Sequence, residues 1–441
     1  MTRTTFRIAA TGAALALALS ACSGGGSSED PTTGGGETGG GATVDPNEEI
    51  TLNVTWWGNP DRADRYYQAI ALFNEEYPNI TIQPNFSAWP EYWTARATEA
   101  AGSSLPDVMQ MDLAYISQFG TRGQLLDLSP YIGGELDVSG MPEALLASGQ
   151  IDGQTLGVAT STNTLALFYN PAVISQLGVD APTADMTWED YNAFLAEAAE
   201  AGAGLDPILF GSADYTGVFW MFIQHMVQEG NEVFTPEGEI AFTEDDVREW
   251  LNQTSELRAS AGLFPTDRAV QIAPLTGYTV NETATEFSWD NFLAGFLADS
   301  GAENIDMLPV PLGSDGERSM FQKPSMLLSG AANTEHPEAV AAFISFNMNN
   351  PEVGAIFGTS RGVPSTESAR SNLAAEGTDA EVIAYEDDHA DDITASVPTL
   401  PEGFGTIEAT WLRLAEELGY GTITVDEFVE RWFAEAESAL S

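Results

Sequence analysis

From Ile50 onward the chain alternates short apolar strands with amphipathic helices, and that alternation restricts the fold more than any other feature. Ile50, Leu52, Val54 and Trp56 interleave with Thr51, Asn53, Thr55 and Trp57, the period-two pattern of a half-buried strand. Asn59-Pro60-Asp61 marks a helix start with proline at the first helical position. Tyr66, Tyr67, Ile70, Phe73 and Tyr77 follow at helical spacing until Pro78-Asn79. Residues 80–86 predict a second strand, 90–101 a second helix and 107–112 a third strand. Strand, helix, strand, helix, strand points to a parallel α/β sheet with right-handed crossovers.

The alternation continues with changed partners. Residues 165–169 predict a strand closed by Asn170-Pro171, and 284–289, 306–311 and 325–329 predict further strands. Thr187-Trp188-Glu189-Asp190 and Thr424-Val425-Asp426-Glu427 have the form of helix-capping boxes. Helical runs are expected at 217–229, 244–261, 337–348 and 352–357, and the C-terminal third reads as mostly helical. No internal repeat is evident.

Composition narrows the partners. The 441 residues carry 66 acids against 15 basic residues, a formal charge of −51. Phosphate backbones need clustered Lys and Arg, so nucleic acid is excluded as an expected partner. The same field disfavours large anionic ligands. Lys323 is the single lysine, within Phe321-Gln322-Lys323-Pro324-Ser325.

The N-terminus carries an address. Arg3 and Arg7 precede an apolar run over 8–19, which has signal-peptide length and is too short for a membrane-spanning helix. Leu19-Ser20-Ala21-Cys22 resembles the bacterial lipobox, whose cysteine is lipidated and becomes the mature N-terminus. Cys22 is the only cysteine, so it has no disulfide partner within the chain. Residues 1–21 are therefore expected to be a lipoprotein signal peptide. Residues 22–49, rich in Gly and Ser, are expected to be a flexible tether with a reach of roughly 30 Å. The expected location is the extracytoplasmic face of the cell membrane, held by a lipid on Cys22.

Six segments, in order, resemble the family 1 extracellular solute-binding proteins of ABC importers, especially the sugar-binding branch. They are Trp56-Trp57-Gly58-Asn59-Pro60-Asp61, the stretch from Leu105 to Asp112, and Asn163 to Pro171. Phe287-Ser288-Trp289-Asp290-Asn291, Lys323-Pro324-Ser325-Met326 and Arg361-Gly362-Val363-Pro364 complete the series. The resemblance implies an α/β, two-lobed, type II periplasmic-binding-protein-like fold, each lobe a mixed or parallel sheet flanked by helices. Lobe one would comprise 50–162 plus 329–363, and lobe two 163–328 plus 364–441. The ligand would sit in the cleft between them, without a cofactor or bound metal. It further implies a monomer that captures a carbohydrate and passes it to an ABC permease.

A neutral sugar presents hydroxyls at its edges and C–H patches on its faces, so flat aromatics ringed by planar polar groups suit it. Trp57 ends the first strand and belongs either to the cleft or to the core. Asn59 and Asp61 follow in the loop at a strand's carboxyl end, where open α/β sheets bind ligands; Asn59 equally suits a helix cap. Trp89 is either a stacking platform or a staple onto Tyr92 and Trp93. Asp112 is a ligand carboxylate by resemblance, or a cap for residues 113–119. Asn163 aligns with a polar contact, or ties the crossing segment. Trp289 ends a strand, Asn291 follows it closely, and the family has a stacking aromatic here. Tyr215, Trp220, Phe404, Lys323 and Arg361 complete the candidates.

Enzyme signatures fail on context. Gly358-Thr359-Ser360-Arg361-Gly362 spells G-x-S-x-G, yet a helix is expected before it instead of a strand. Gly34, Gly36 and Gly39 spell G-x-G-x-x-G without a flanking strand or helix. His225, His336 and His389 are scattered and lack zinc-site spacing. The acidic run from Glu386 to Asp392 reads as a solvated helix face. A secreted glycosidase would need two carboxylates flanking one bond, and 66 acids do not exclude such a pair. A binding protein of the same fold for a polyamine, peptide or other non-sugar solute is the remaining alternative.

Overall fold

The computed structural model describes residues 44–440 except 59, 236, 274, 374 and 375, and at 61 and 90 the backbone alone. Cys22, the expected signal peptide, most of the expected tether, its glycine motif and Asn59 lie outside the described residues.

The first half of the fold follows the alternation closely. Strand β1 (Ile50–Trp57), helix α1 (Pro60–Glu76), strand β2 (Ile80–Ser87), helix α2 (Trp89–Ala101) and strand β3 (Val108–Met111) form a parallel unit. β1 lies between β3 and β2, so its two faces receive different helices. Leu52, Val54 and Trp56 pack with Tyr66, Ile70 and Phe73 of α1. Trp57 faces the other way, against Tyr92 and Trp93 of α2. Thr55, on the same face as Trp57, accepts a hydrogen bond from the buried Arg96 guanidinium at 2.8 Å. Helix α3 (Leu113–Gly120) follows β3 directly, capped by Asp112, whose carboxylate accepts from the Ala114 amide at 2.9 Å.

Strands β4 (Val158–Asn163) and β5 (Leu165–Tyr169) are separated by Thr164 alone, yet they belong to different sheets. Past β5 come α4 (Trp188–Gly202), α5 (Phe219–Gln228), β6 (Thr285–Trp289), β7 (Asp306–Leu308) and β8 (Met320–Gly330). Then follow α6 (Pro337–Asn349), β9 (Val363–Pro364), α7 (Thr378–Asp388), β10 (Ile393–Ser396), α8 (Phe404–Gly419) and α9 (Val425–Ala439). The large sheet runs β9-β4-β8-β3-β1-β2, with β10 beside the start of β8; the small sheet runs β6-β5-β7.

Several expectations need adjusting. The small sheet is antiparallel at both pairings, where a mixed or parallel sheet was expected. β8 extends from Met320 through Pro324, so the strand is longer than the 325–329 read from its apolar run. Its ladder shifts register beyond Pro324, which has no N–H to donate. The run 244–261 is two helices, Glu244–Asn252 and Ser255–Ala259, split at the buried Thr254, whose hydroxyl bonds Asp214 at 2.9 Å. Both expected capping boxes are present, and a third joins Thr243 to Asp246. The G-x-S-x-G stretch follows a helix and precedes β9, and the Ser360 hydroxyl is spent on the Phe357 carbonyl at 2.6 Å.

Candidate functional site

The carboxyl ends of β1 and β2 and the starts of α2 and α3 gather one aromatic group. Trp57 meets Trp89 edge-on at 4.9 Å and Trp93 at 5.7 Å. Trp93 stacks on Tyr115 of α3 at 3.8 Å with ring planes 11° apart. Trp57 and Trp93 are buried, whereas Trp89 is 40% exposed. Trp89 is thus the ring of this group open to a ligand, and Trp57 and Trp93 back it.

A second group forms where β6, α5, β8 and α8 meet. Trp289, at the end of β6, sits edge-on to Trp220 of α5 at 5.4 Å. The Lys323 ammonium stands 5.4 Å from both ring centroids, a geometry in which each indole face favours a cation. Phe404 lies behind Trp220 at 5.4 Å and is only 1% exposed. Its place is in the core, and it supports the Trp220 ring. Glu408, one helical turn beyond Phe404, is half-buried and accepts from the Trp220 side chain. Burial pushes its carboxyl up, and Asp112 adds to the rise; Lys323 and the Trp220 bond pull it down. Asp112, at the head of α3, therefore lies within the field of Glu408, and the two groups come together there.

Other expected site residues sit elsewhere. Tyr215 is buried against Trp188 at 5.2 Å, with its hydroxyl bonded to Asn192 at 3.0 Å and Gln253 at 3.1 Å. It underlies a separate cavity of about 500 Å³ lined by Trp188, His225 and Gln253. Arg361 is buried on the Phe357 ring at 3.4 Å, with a long bond of 3.4 Å to the Tyr66 hydroxyl. Burial pulls its guanidinium below the usual arginine range. Asn291 is half-buried, and its amide donates to Asp290 at 2.7 Å. Asp61 opens α1, and its side chain is outside the description.

The crossing between sheets holds a feature the sequence reading missed. Asn163 pairs with Lys323 in the β4–β8 register and is buried. Gly362, at φ +95°, passes so close that a Cβ there would meet the Thr162 carbonyl at 2.2 Å and the Asn163 amide oxygen at 2.3 Å. Beside it Asp290 and Glu386 are fully buried and contact each other. Glu386 accepts from the Thr162 hydroxyl and from the Gln322 amide, each at 3.0 Å; Asp290 accepts from the Thr164 amide at 3.0 Å. Burial and the neighbouring carboxylate hold Asp290 well above the usual range, and burial pushes Glu386 up to about 7. Two acids in one dry site cannot both ionise cheaply, so the pair retains a proton. This corrects the reading of the run from Glu386 as solvated: its first residue turns inward on α7.

Glu408 was also missed. Its signal was present, because 404, 407, 408 and 411 fall on one helical face and an acid interrupts an otherwise apolar stripe. Among the described residues no cluster of His, Cys, Asp or Glu has the makings of a metal site.

Comparison with known proteins gives this architecture its family. A sequence profile of the bacterial extracellular solute-binding proteins matches residues 59–352, and the chain belongs to that family. Its fold is the two-lobed, type II periplasmic-binding-protein fold. A family 1 extracellular solute-binding protein from Alicyclobacillus acidocaldarius superposes with a TM-score of 0.72. It is 25% identical and covers 90% of this chain and 100% of its own. A periplasmic oligogalacturonide-binding protein from Yersinia enterocolitica gives the same TM-score at 20% identity, over 88% of this chain and 98% of its own. The arabinooligosaccharide-binding protein of Bacillus subtilis is 30% identical over 142 residues, 31% of this chain. That match spans 32% of the relative's length.

Proposed function

We propose that this protein is an extracytoplasmic carbohydrate receptor that hands a mono- or oligosaccharide to an ABC permease, without altering it. One observation carries the reading. Trp220 and Trp289 flank the only lysine of the chain, with Glu408 and Asp112 beside it. Indole faces take the C–H patches of a sugar, and the ammonium and carboxylates take its hydroxyls. Trp89, with Trp57 behind it, supplies the facing platform. Lobe one corresponds to 50–162 plus 329–363 and lobe two to 163–328 plus 364–441, with Asn163 and Gly362 at the crossings. Ligand favours the closed arrangement because only that form touches it from both sides. Asn59, Asp61, Asn291 and Arg361 border the cleft or steady its hinge. The protein acts as a monomer held to the membrane by a lipid on Cys22. The name of the Bacillus subtilis relative supports the sugar class.

A polyamine would have to displace Lys323 from between two indoles, which weighs against a cationic solute. The test is a thermal-shift panel of sugars, polyamines and peptides. One sugar class should raise the melting temperature in proportion to its concentration; a response to polyamines alone contradicts the proposal. Prolonged incubation should return the oligosaccharide uncut. Mass spectrometry of membrane-extracted protein should find diacylglycerol on Cys22; an unmodified thiol there removes the anchor from the account.

A further inference from the structure

The charges around the tryptophan pair bear on which sugars are admitted, an inference that rests on the carbohydrate reading above. Glu408 takes a hydrogen bond from Trp220, and its carboxylate shares the space of Lys323 and Asp112. A carboxylate only accepts, so a sugar hydroxyl satisfies it, while a sugar carboxylate brings acceptor against acceptor and charge against charge. Lys323 is a single positive group between two negative ones.

The other cations nearby are turned away. Arg361, with Arg62 and Arg65 in its field, gathers about Tyr66, which stacks on Trp56 at 4.3 Å. Trp56 belongs to the face of β1 opposite Trp57, and the Arg361 guanidinium rests on Phe357 on that side. Arg65 donates to the carbonyls of Ile356 and Phe357. Planar guanidiniums are the groups that bind carboxylates in paired fashion, and these are committed away from the tryptophan pair. The chain's 66 acids against 15 basic residues add a repulsive background.

We infer that the site takes uncharged oligosaccharides and rejects their uronate counterparts, with Glu408 as the residue that sets this choice. Its ligand class would then differ from that named for the Yersinia enterocolitica protein of the same fold.

The experiment is isothermal titration of the full chain with matched pairs: arabino-, gluco- and galacto-oligosaccharides, and glucuronides and galacturonides of the same lengths. At least one neutral sugar should bind, and its uronate counterpart at least tenfold more weakly. The gap should shrink as salt is raised, as expected of a charge effect. Glu408→Gln should narrow the gap, and Glu408→Lys should narrow it further or reverse it, with melting curves checking that both variants fold. A uronate that binds as tightly as its neutral partner, or a gap unmoved in both variants, overturns this inference alone. If no sugar of either kind binds, the carbohydrate reading falls, and this inference falls with it.

Discussion

Glu408 and Glu386 are both glutamates drawn out of bulk water, and they end in opposite situations. Glu408 shares its space with an ammonium and an indole N–H, groups that stabilise a carboxylate. Glu386 faces the buried Asp290, with only neutral donors, Thr162 and Gln322, bonded to its oxygens. The first is equipped to hold charge toward a ligand. The second is equipped to keep a proton inside the crossing between the two sheets. Residue type alone does not separate these roles; the partner does.

Removing one acid of the crossing should have the largest effect. Glu386→Ala leaves Thr162 and Gln322 without their acceptor and opens a void. Urea unfolding should register a loss of about 3 kcal/mol. Glu386→Gln keeps shape and most bonds, and should cost less than half as much. Equal losses in the two variants would mean that filling the space, not sharing the proton, is what matters.

At the tryptophan pair the effect should fall on binding instead. Trp289→Ala should weaken sugar affinity by about 30-fold, or about 2 kcal/mol, the size of a central aromatic anchor. The unliganded protein should unfold nearly as before, because Trp289 is only half-buried. Trp89→Ala should cost less, since that ring is backed by Trp57 and Trp93 and is one of several on its wall.

Acidity then tests the crossing without mutation. Glu386 sits at about 7 in the folded chain against an ordinary 4.5, so its protonated form is favoured by folding. Its contribution is complete below about pH 4.5 and is lost as pH rises through 7. The melting temperature should fall across that window, and Glu386→Gln should flatten the fall. Glu286 on β6, also pushed up to about 7 by burial, contributes to the same slope, so Glu286→Gln should remove a further part. A melting temperature that rises from pH 5 to 8 would contradict the shared proton.

The smallest effect is expected at Arg122 and Glu402, an ion pair between the turn after α3 and the segment before α8. Both side chains are about half exposed, so water and salt already satisfy them. Arg122→Ala should change stability by less than about 1 kcal/mol.

How much of this was legible in the sequence depends on how local its cause is. The unit from β1 to β3 was readable because alternation, helical spacing and Pro60 act within single elements. β4 was not, since Val158-Ala159-Thr160-Ser161-Thr162-Asn163 carries four polar residues and gives no alternation, yet every one is buried in the middle of a sheet. Its hydroxyls are satisfied by distant chain: Ser161 donates to the Arg361 carbonyl at 2.6 Å, and Thr162 to Glu386. The antiparallel small sheet was hidden for a similar reason, because β5 and β6 are joined only after more than a hundred residues of helices and turns. At the site, Trp220, Trp289 and Lys323 were named from the sequence and stand together. Glu408 and the Asp290–Glu386 pair were hidden among 66 acids, where only the fold tells which ones turn inward.

The central claim is that the tryptophan pair, with Lys323 and Glu408, receives the sugar. Its most direct test is a crystal structure with the tightest neutral oligosaccharide from the titrations. The account predicts a sugar ring against Trp289, hydroxyls within hydrogen-bond distance of Lys323 and Glu408, and Trp89 on the opposite side of the ligand. A sugar bound in the cavity beside Trp188 and His225, with Trp289 and Glu408 untouched, would contradict it.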